Sequence, residues 1–251
     1  MPVRNLLYLY ANTAEKHVVC HGVDFKCFLR CLEKPLNNIL LIKHGYDGKN
    51  FNSRSGFTYV TEGEIKKLAE DDIDKYGDFC WVDFEEEFAP DRLTRLDIAE
   101  LLYFGHKHRP FSSPVFTRLR NRFAYWSHDD GWYSSLYFTD SGEMQSFMSR
   151  AVAVVARSKH LTAGKIQSET AKEIFSMSER GLLLDTGELR EADDMIVLPF
   201  YVTGKITDLN DAVNNTAKYK ENAVKKGTFR FRKKAAEKPK VPFWRRRHKK
   251  S

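Results

Sequence analysis

Two segments place carboxylates and imidazoles where they could do chemistry. Asp83, Glu85 and Glu87 stand two apart at the end of an apolar run, Phe79 to Phe84. On a strand continuing to residue 87 they would share one side, because strand side chains alternate with period two. Open α/β sheets often bind ligands at such strand ends. His44 follows another apolar run, Asn38 to Ile42, and would lie nearby if the two strands were parallel neighbours. Oxygen ligands with one imidazole suit Mg²⁺ or Mn²⁺. The plain alternative is a set of solvated loop carboxylates ahead of a helix.

The second segment is His128-Asp129-Asp130-Gly131-Trp132. A histidine beside two carboxylates suits acid–base work or a metal. The same residues also make an ordinary hairpin turn, with Asp capping backbone amides and aromatic side chains packing across strands. A combined site would need Asp83, Glu85, His128, Asp129 and Asp130 in one pocket. It would support metal-dependent hydrolase or nuclease chemistry. His106 and His108 flank Lys107 just past a helix, where positive charge complements the helix dipole. Cys27 and Cys31 are four apart on one helix face, within reach of Cys20 or His21. Small buried thiols are the ordinary reading of that spacing. No G-x-x-x-x-G-K-[ST], G-x-G-x-x-G, H-E-x-x-H or G-x-S-x-G motif occurs. The motifs therefore call for no cofactor, with a divalent metal as the alternative.

The C-terminus carries the strongest signal. Lys218 to Ser251 holds 15 basic and 2 acidic residues, net +13, against 26 and 32 in residues 1–217, net −6. The basic pI thus belongs to the tail, and the body would not attract nucleic acid by bulk charge. Arg230, Arg232, Lys233, Lys234, Arg245, Arg246, Arg247, Lys249 and Lys250 would neutralise phosphates. Phe229, Phe231 and Trp244 would stack on unpaired bases. The same residues suit an anionic membrane surface. The body's own charge is concentrated: Glu70 to Glu100 has 12 acidic and 3 basic residues, which could attract the tail and mask it.

These residues need elements to hold them. Asn5 to Tyr10 and His17 to Cys20 read as strands that could pair as a hairpin. Asp24 caps a helix with Phe25, Phe28, Leu29 and Leu32 on one face, stopped by Pro35. Gly45 to Gly56 reads as a loop. Thr61-x-x-Glu64 and Asp140-x-x-Glu143 match capping boxes. Leu93 to Phe104 is helical, with Leu96, Ala99 and Tyr103 on one face. Arg122 to Trp126 and Trp132 to Phe138 pair around Asp-Gly. Met144, Phe147, Met148, Ala151, Val154 and Val155 make the clearest amphipathic helix. Gln167 to Ser178 is a further helix. Gly181 to Leu184 and Met195 to Val202 are strands, and Asp208 opens a last helix with Ala212 and Val213 inward. The fold class is α/β or α+β: a mixed β-sheet with packed helices. Residues 1–224 form an acidic globular body, with a possible boundary near 160. Residues 225–251 form a disordered basic tail.

No segment reaches the roughly 18 apolar residues needed to span a bilayer, so the chain reads as soluble and cytoplasmic with reduced cysteines. Lys34-Pro-Leu-Asn-Asn-Ile-Leu-Leu-Ile-Lys-His44, Tyr76-Gly-Asp-Phe-Cys-Trp-Val-Asp-Phe-Glu-Glu86, Asp97-Ile-Ala-Glu-Leu-Leu-Tyr-Phe-Gly-His106 and Asn121-Arg-Phe-Ala-Tyr-Trp-Ser-His-Asp-Asp-Gly-Trp132 are distinctive. Together they resemble an uncharacterised family of soluble proteins from spore-forming Gram-positive bacteria, often labelled "oxalate:formate antiporter". The resemblance covers roughly residues 3–155. It implies no catalytic residues, and an antiporter would need several membrane spans. The leading expectation is a non-enzymatic binding protein. Its tail would hold nucleic acid or the ribosome, and its body would meet a protein partner. A metal-dependent enzyme is the alternative, and the resemblance alone adds a structural or assembly role in spore formers.

Overall fold

Strands that are apolar at nearly every position need cover on both faces. The computed structural model describes residues 5–46, 50–71, 77–128, 133–157 and 166–232, and supplies that cover. Among them, twelve strands form one sheet. In chain order they are β1 (Leu6–Asn12), β2 (His17–His21), β3 (Asn38–Lys43), β4 (Asn50–Asn52), β5 (Phe57–Thr61), β6 (Phe79–Phe84), β7 (Phe123–Ser127), β8 (Ser134–Phe138), β9 (Leu182–Asp185), β10 (Arg190–Ala192), β11 (Met195–Val202) and β12 (Lys225–Arg232). The helices are α1 (Phe25–Cys31), α2 (Glu62–Glu70), α3 (Arg95–Lys107), α4 (Ser141–Arg157), α5 (Ser168–Ser178), α6 (Leu209–Asn214) and α7 (Thr216–Glu221). The spatial order is β10-β11-β9-β1-β2-β8-β7-β6-β3-β5-β4, and β12 takes the other edge of β11 along all eight of its residues.

This is the α+β alternative of the expected fold class. Where a mixed sheet was expected, every described ladder is antiparallel. Continuous apolar runs such as that of β6, buried at all six positions, resemble parallel strands because both faces are covered. On one face lies the main core. Leu7, Trp81, Tyr125 and Phe138 of the sheet meet Phe25 and Phe28 of α1, Leu68 of α2, Phe147 of α4 and Ile174 of α5. The other face holds two smaller cores. One is built on Cys80, Val82 and Trp126 under Leu101 and Phe104 of α3. The second is built on Tyr8 and Leu183 under Ala212 and Val213 of α6.

Local chemistry sets the element ends. Asp24 Oδ1 accepts from Cys27 N at 2.6 Å at the start of α1. Glu64 Oε2 accepts from Thr61 N and Oγ1 at 3.3 and 3.1 Å at the start of α2. Asp140 Oδ1 accepts from Glu143 N at 2.8 Å before α4. Thr94 and Asp97 make a further box at α3, which moves its start from Leu93 to Arg95. The orientation of α3 corrects the sequence reading. Leu96 is 69% exposed and Ala99 faces solvent, whereas Leu101, Phe104 and Gly105 face the sheet. A Cβ on Gly105 would stand 2.6 Å from Ile42 Cγ2, so glycine permits this close approach to β3. The Gly45–Gly56 loop likewise contains β4, which pairs with β5.

Two domain expectations change. The sheet does not divide near residue 160, because β9 beyond that point pairs with β1. The tail does not begin at Lys225, because residues 225–232 are β12 and its Phe229 and Phe231 enter the main core. Residues 233–251 lie outside the described residues.

His17 is stacked on Tyr137, with ring centroids 4.3 Å apart, and its Nε2 is buried without a partner. Burial, with Lys205 adding to it, pushes its pKa down to about 4. The unfolded chain therefore takes up a proton below about pH 6.5 that the folded chain refuses until about pH 4. Stability is lost as pH falls through that window, by at most about 3 kcal/mol. His17→Phe retains the stacked ring. Urea unfolding at pH 7 and pH 4 is expected to show a smaller acid loss in this variant by about that amount.

Candidate functional site

The antiparallel register decides which chemical groups meet. Phe79 pairs with Ser127 and Val82 with Ala124. Asp83 therefore lies at one end of the β6–β7 ladder and His128 at the other, about 17 Å apart along the strands. The combined site of Asp83, Glu85 and His128 is not formed. His44 does not approach Asp83 either: Ile39 pairs with Asp83 and Lys43 with Cys80, so His44 falls at the opposite end. There its Nδ1 lies 2.9 Å from Tyr46 O, and burial lowers its pKa. Asp129 and Asp130 lie outside the described residues.

Asp83 faces the main core side and is 4% exposed. Its Oδ1 accepts from Arg122 N at 2.9 Å and Phe123 N at 2.7 Å, which fixes the entry of β7. Burial pushes this carboxyl up to about 7, against those two amides and the nearby Arg122 charge. The Arg122 guanidinium donates to Glu143 of α4 and, at 3.0 Å, to Pro35 O. Glu85 and Glu86 are surface partners of arginines: both lie 3.4 Å from Arg120, and Glu86 lies 2.7 Å from Arg92. Glu87 is exposed. This end of the sheet is a structural clamp.

The opposite end gathers titratable groups from four places in the chain. Asp78 precedes β6, Lys43 ends β3, His128 follows β7, and His108 caps the C-terminus of α3 in a left-handed conformation (φ 61°). Asp78 Oδ1 lies 3.3 Å from His128 Nδ1, and its Oδ2 lies 3.4 Å from His108 Nε2. Lys43 Nζ donates to the same Oδ2. Burial alone would raise the Asp78 pKa, but hydrogen bonds from Lys43 and His128 outweigh it and hold the carboxyl below its ordinary range. His108 is lowered by burial against the pull of Asp78. Its ring lies 4.1 Å from that of Trp126, which also stacks with His128 at 5.5 Å. Asp78 can orient the His128 ring through its hydrogen bond, whereas His108 Nε2 is buried near the carboxylate without a hydrogen bond among the described residues. A cation would have to displace the Lys43 ammonium. Among the described residues no group of three or more His, Cys, Asp or Glu could hold a metal ion. His108 and His128 are visible separately in the sequence; their common neighbour, Asp78, stands at no motif spacing from either.

Cys20, Cys31 and Cys80 are buried, Cys27 is half-buried, and all four are free. A hydrogen bond with Cys27 that favours the protonated Cys31 thiol, then burial, raises that thiol well above its ordinary value. His106 is exposed on α3.

The basic candidates divide. Strand alternation in β12 exposes Lys226, Thr228, Arg230 and Arg232, while Phe229 and Phe231 are buried. Phe229 stacks on Phe200 at 4.5 Å. A Cβ on Gly227 would meet the Phe200 ring at 2.6 Å, so glycine lets β12 cross it. The two phenylalanines expected to stack on bases are thus core residues. Lys233, Lys234, Arg245, Arg246, Arg247, Lys249, Lys250 and Trp244 lie outside the described residues. No helix among the described residues is long and apolar enough to cross a membrane. No family model, curated protein or solved structure matches the chain.

Asp83→Asn keeps an oxygen for both amides and is expected to fold. Asp83→Ala leaves two buried N–H groups without that acceptor and is expected to cost about 2–4 kcal/mol in urea unfolding. Equal stability of the two variants would rule out the clamp.

Proposed function

We propose that this protein binds nucleic acid, free or ribosomal, through a continuous basic segment, residues 225–251. The observation that carries the reading is the outward face of β12, where Lys226, Arg230 and Arg232 are all exposed. Immediately after Arg232 the sequence adds nine Lys and Arg and a single Glu through Ser251. Phosphate neutralisation with counterion release is the physical basis of such binding. The acidic body disfavours nonspecific adhesion elsewhere on the molecule, so binding is confined to this segment.

The strand changes how the reading is tested. Ending the chain at Val224 would strip β12 from β11 and remove Phe229 and Phe231 from the core, so lost binding would mean little. A chain ending at Arg232 keeps the sheet. Single-stranded and duplex DNA and RNA should bind the full chain, with affinity falling steeply with salt. The shortened chain should bind more weakly, with a smaller salt slope. Equal affinity of the two chains would remove the C-terminal nine cations from the function, and no binding by the full chain would defeat the proposal.

A further inference from the structure

Resting on that reading, we infer that the outward face of β10–β11–β12 is a phosphate track that grips a nucleic-acid strand by its backbone and is indifferent to its bases. Lys226, Thr228, Arg230 and Arg232 alternate with the buried positions of β12 and so lie on one face. Same-face positions repeat about every 6.7 Å, so the four donors form a straight row about 20 Å long. That step equals two rises of a stacked strand, about 3.4 Å each, and places donors beside alternate phosphates. Arg190 widens the row: it pairs with Val197, which pairs in turn with Arg230 on the other side. Directly opposed residues share a face, so Arg190 and Arg230 flank Val197. Among the described residues, Arg190, Lys226, Arg230 and Arg232 have no ion pair.

The absence of base readout follows from where the aromatic rings are. Phe229 and Phe231 face the main core. Tyr201 is the ring on the outward side of β11, and it is occupied: Lys220 Nζ lies 5.5 Å from its centroid, and its hydroxyl donates to Glu188 at 2.7 Å. Lys220 also pairs with Asp185 and Glu188, at 2.6 and 3.0 Å, while Glu191, Asp193 and Asp194 follow Arg190 in β10 and the turn before β11. What the face presents is cations and a hydroxyl beside Met195, Val197 and Pro199, which are half-buried. Such a surface holds phosphates without selecting a base.

Edge strands also carry Lys and Arg to block edge-to-edge pairing, and β12 has an edge not paired among the described residues. The two roles separate experimentally. In the full-length chain, Arg190→Gln, Arg230→Gln and Arg232→Gln are combined, and fluorescence anisotropy follows oligothymidylate, oligoadenylate and inorganic polyphosphate of equal charge. The wild-type chain should bind the two oligonucleotides within about threefold of each other, and polyphosphate less tightly. The triple variant should lose about tenfold in affinity, and its salt slope should fall by about 2, near 0.7 for each cation removed. Its thermal midpoint should be unchanged. Unchanged affinity and slope, with or without self-association, would overturn the track and leave the proposed function to residues 233–251. A strong preference between the two oligonucleotides, or tighter binding of polyphosphate, would overturn backbone readout of nucleic acid. Binding of no polyanion by the wild-type chain would end both readings together.

Discussion

The antiparallel placement of β6 between β3 and β7 is the constraint on which the chemistry of this molecule depends. Six residues buried on both faces run from Phe79 to Phe84, and their neighbours run the other way. Groups that follow one strand therefore meet groups that precede the next. Asp78 is brought to His128 and Lys43, and Asp83 to the first amides of β7. A parallel arrangement would have joined Asp83 to His44 and left Asp78 alone. The same register explains why two similar carboxylates have opposite electrostatics. Asp78 gains hydrogen bonds from Lys43 and His128 that outweigh its burial and hold it below its ordinary range, whereas Asp83 is sealed among amides and is pushed up.

The elements that could be read from the sequence are those whose signals are local. β6, β11 and the second half of α5 end where apolar content ends, and Asp24, Thr61 and Asp140 cap the helices they precede. Signals that depend on a neighbour were lost. On α3, Leu96, Ala99 and Tyr103 do share a face, but so do Leu101, Phe104 and Gly105, and nothing local says which meets the sheet. Gly105 settles it, since only a residue without a Cβ fits against Ile42. β5 is hard to read because Thr58, Tyr59 and Thr61 interrupt its apolar residues, and of its two partners, β3 and β4, the short β4 hides inside a polar stretch.

The candidate site was legible as residue types and illegible as geometry. Acidic and imidazole groups near β6 and β7 were visible in order, but proximity follows from strand direction, which composition does not encode. Asp78 had no motif to mark it. Its importance comes from three partners 35, 30 and 50 residues away (Lys43, His108 and His128), which only the folded sheet assembles.

Phe229-Arg230-Phe231-Arg232 shows why one pattern can support two readings. Alternating aromatic and basic residues suit an unfolded chain that stacks on bases, and equally a strand with one buried face. Burying two phenylalanines contributes about 3–6 kcal/mol. Fixing eight residues costs about 8–16 kcal/mol in backbone entropy. The aromatic groups alone therefore cannot hold β12, and a window confined to the C-terminus correctly finds no autonomous fold there. The difference comes from β11, which offers eight paired positions and the Phe200 ring. Once that partner exists, the strand takes its two rings inward. The arginines between them are then forced outward at fixed intervals, so the pairing that removes the stacking groups is also what arranges the charges.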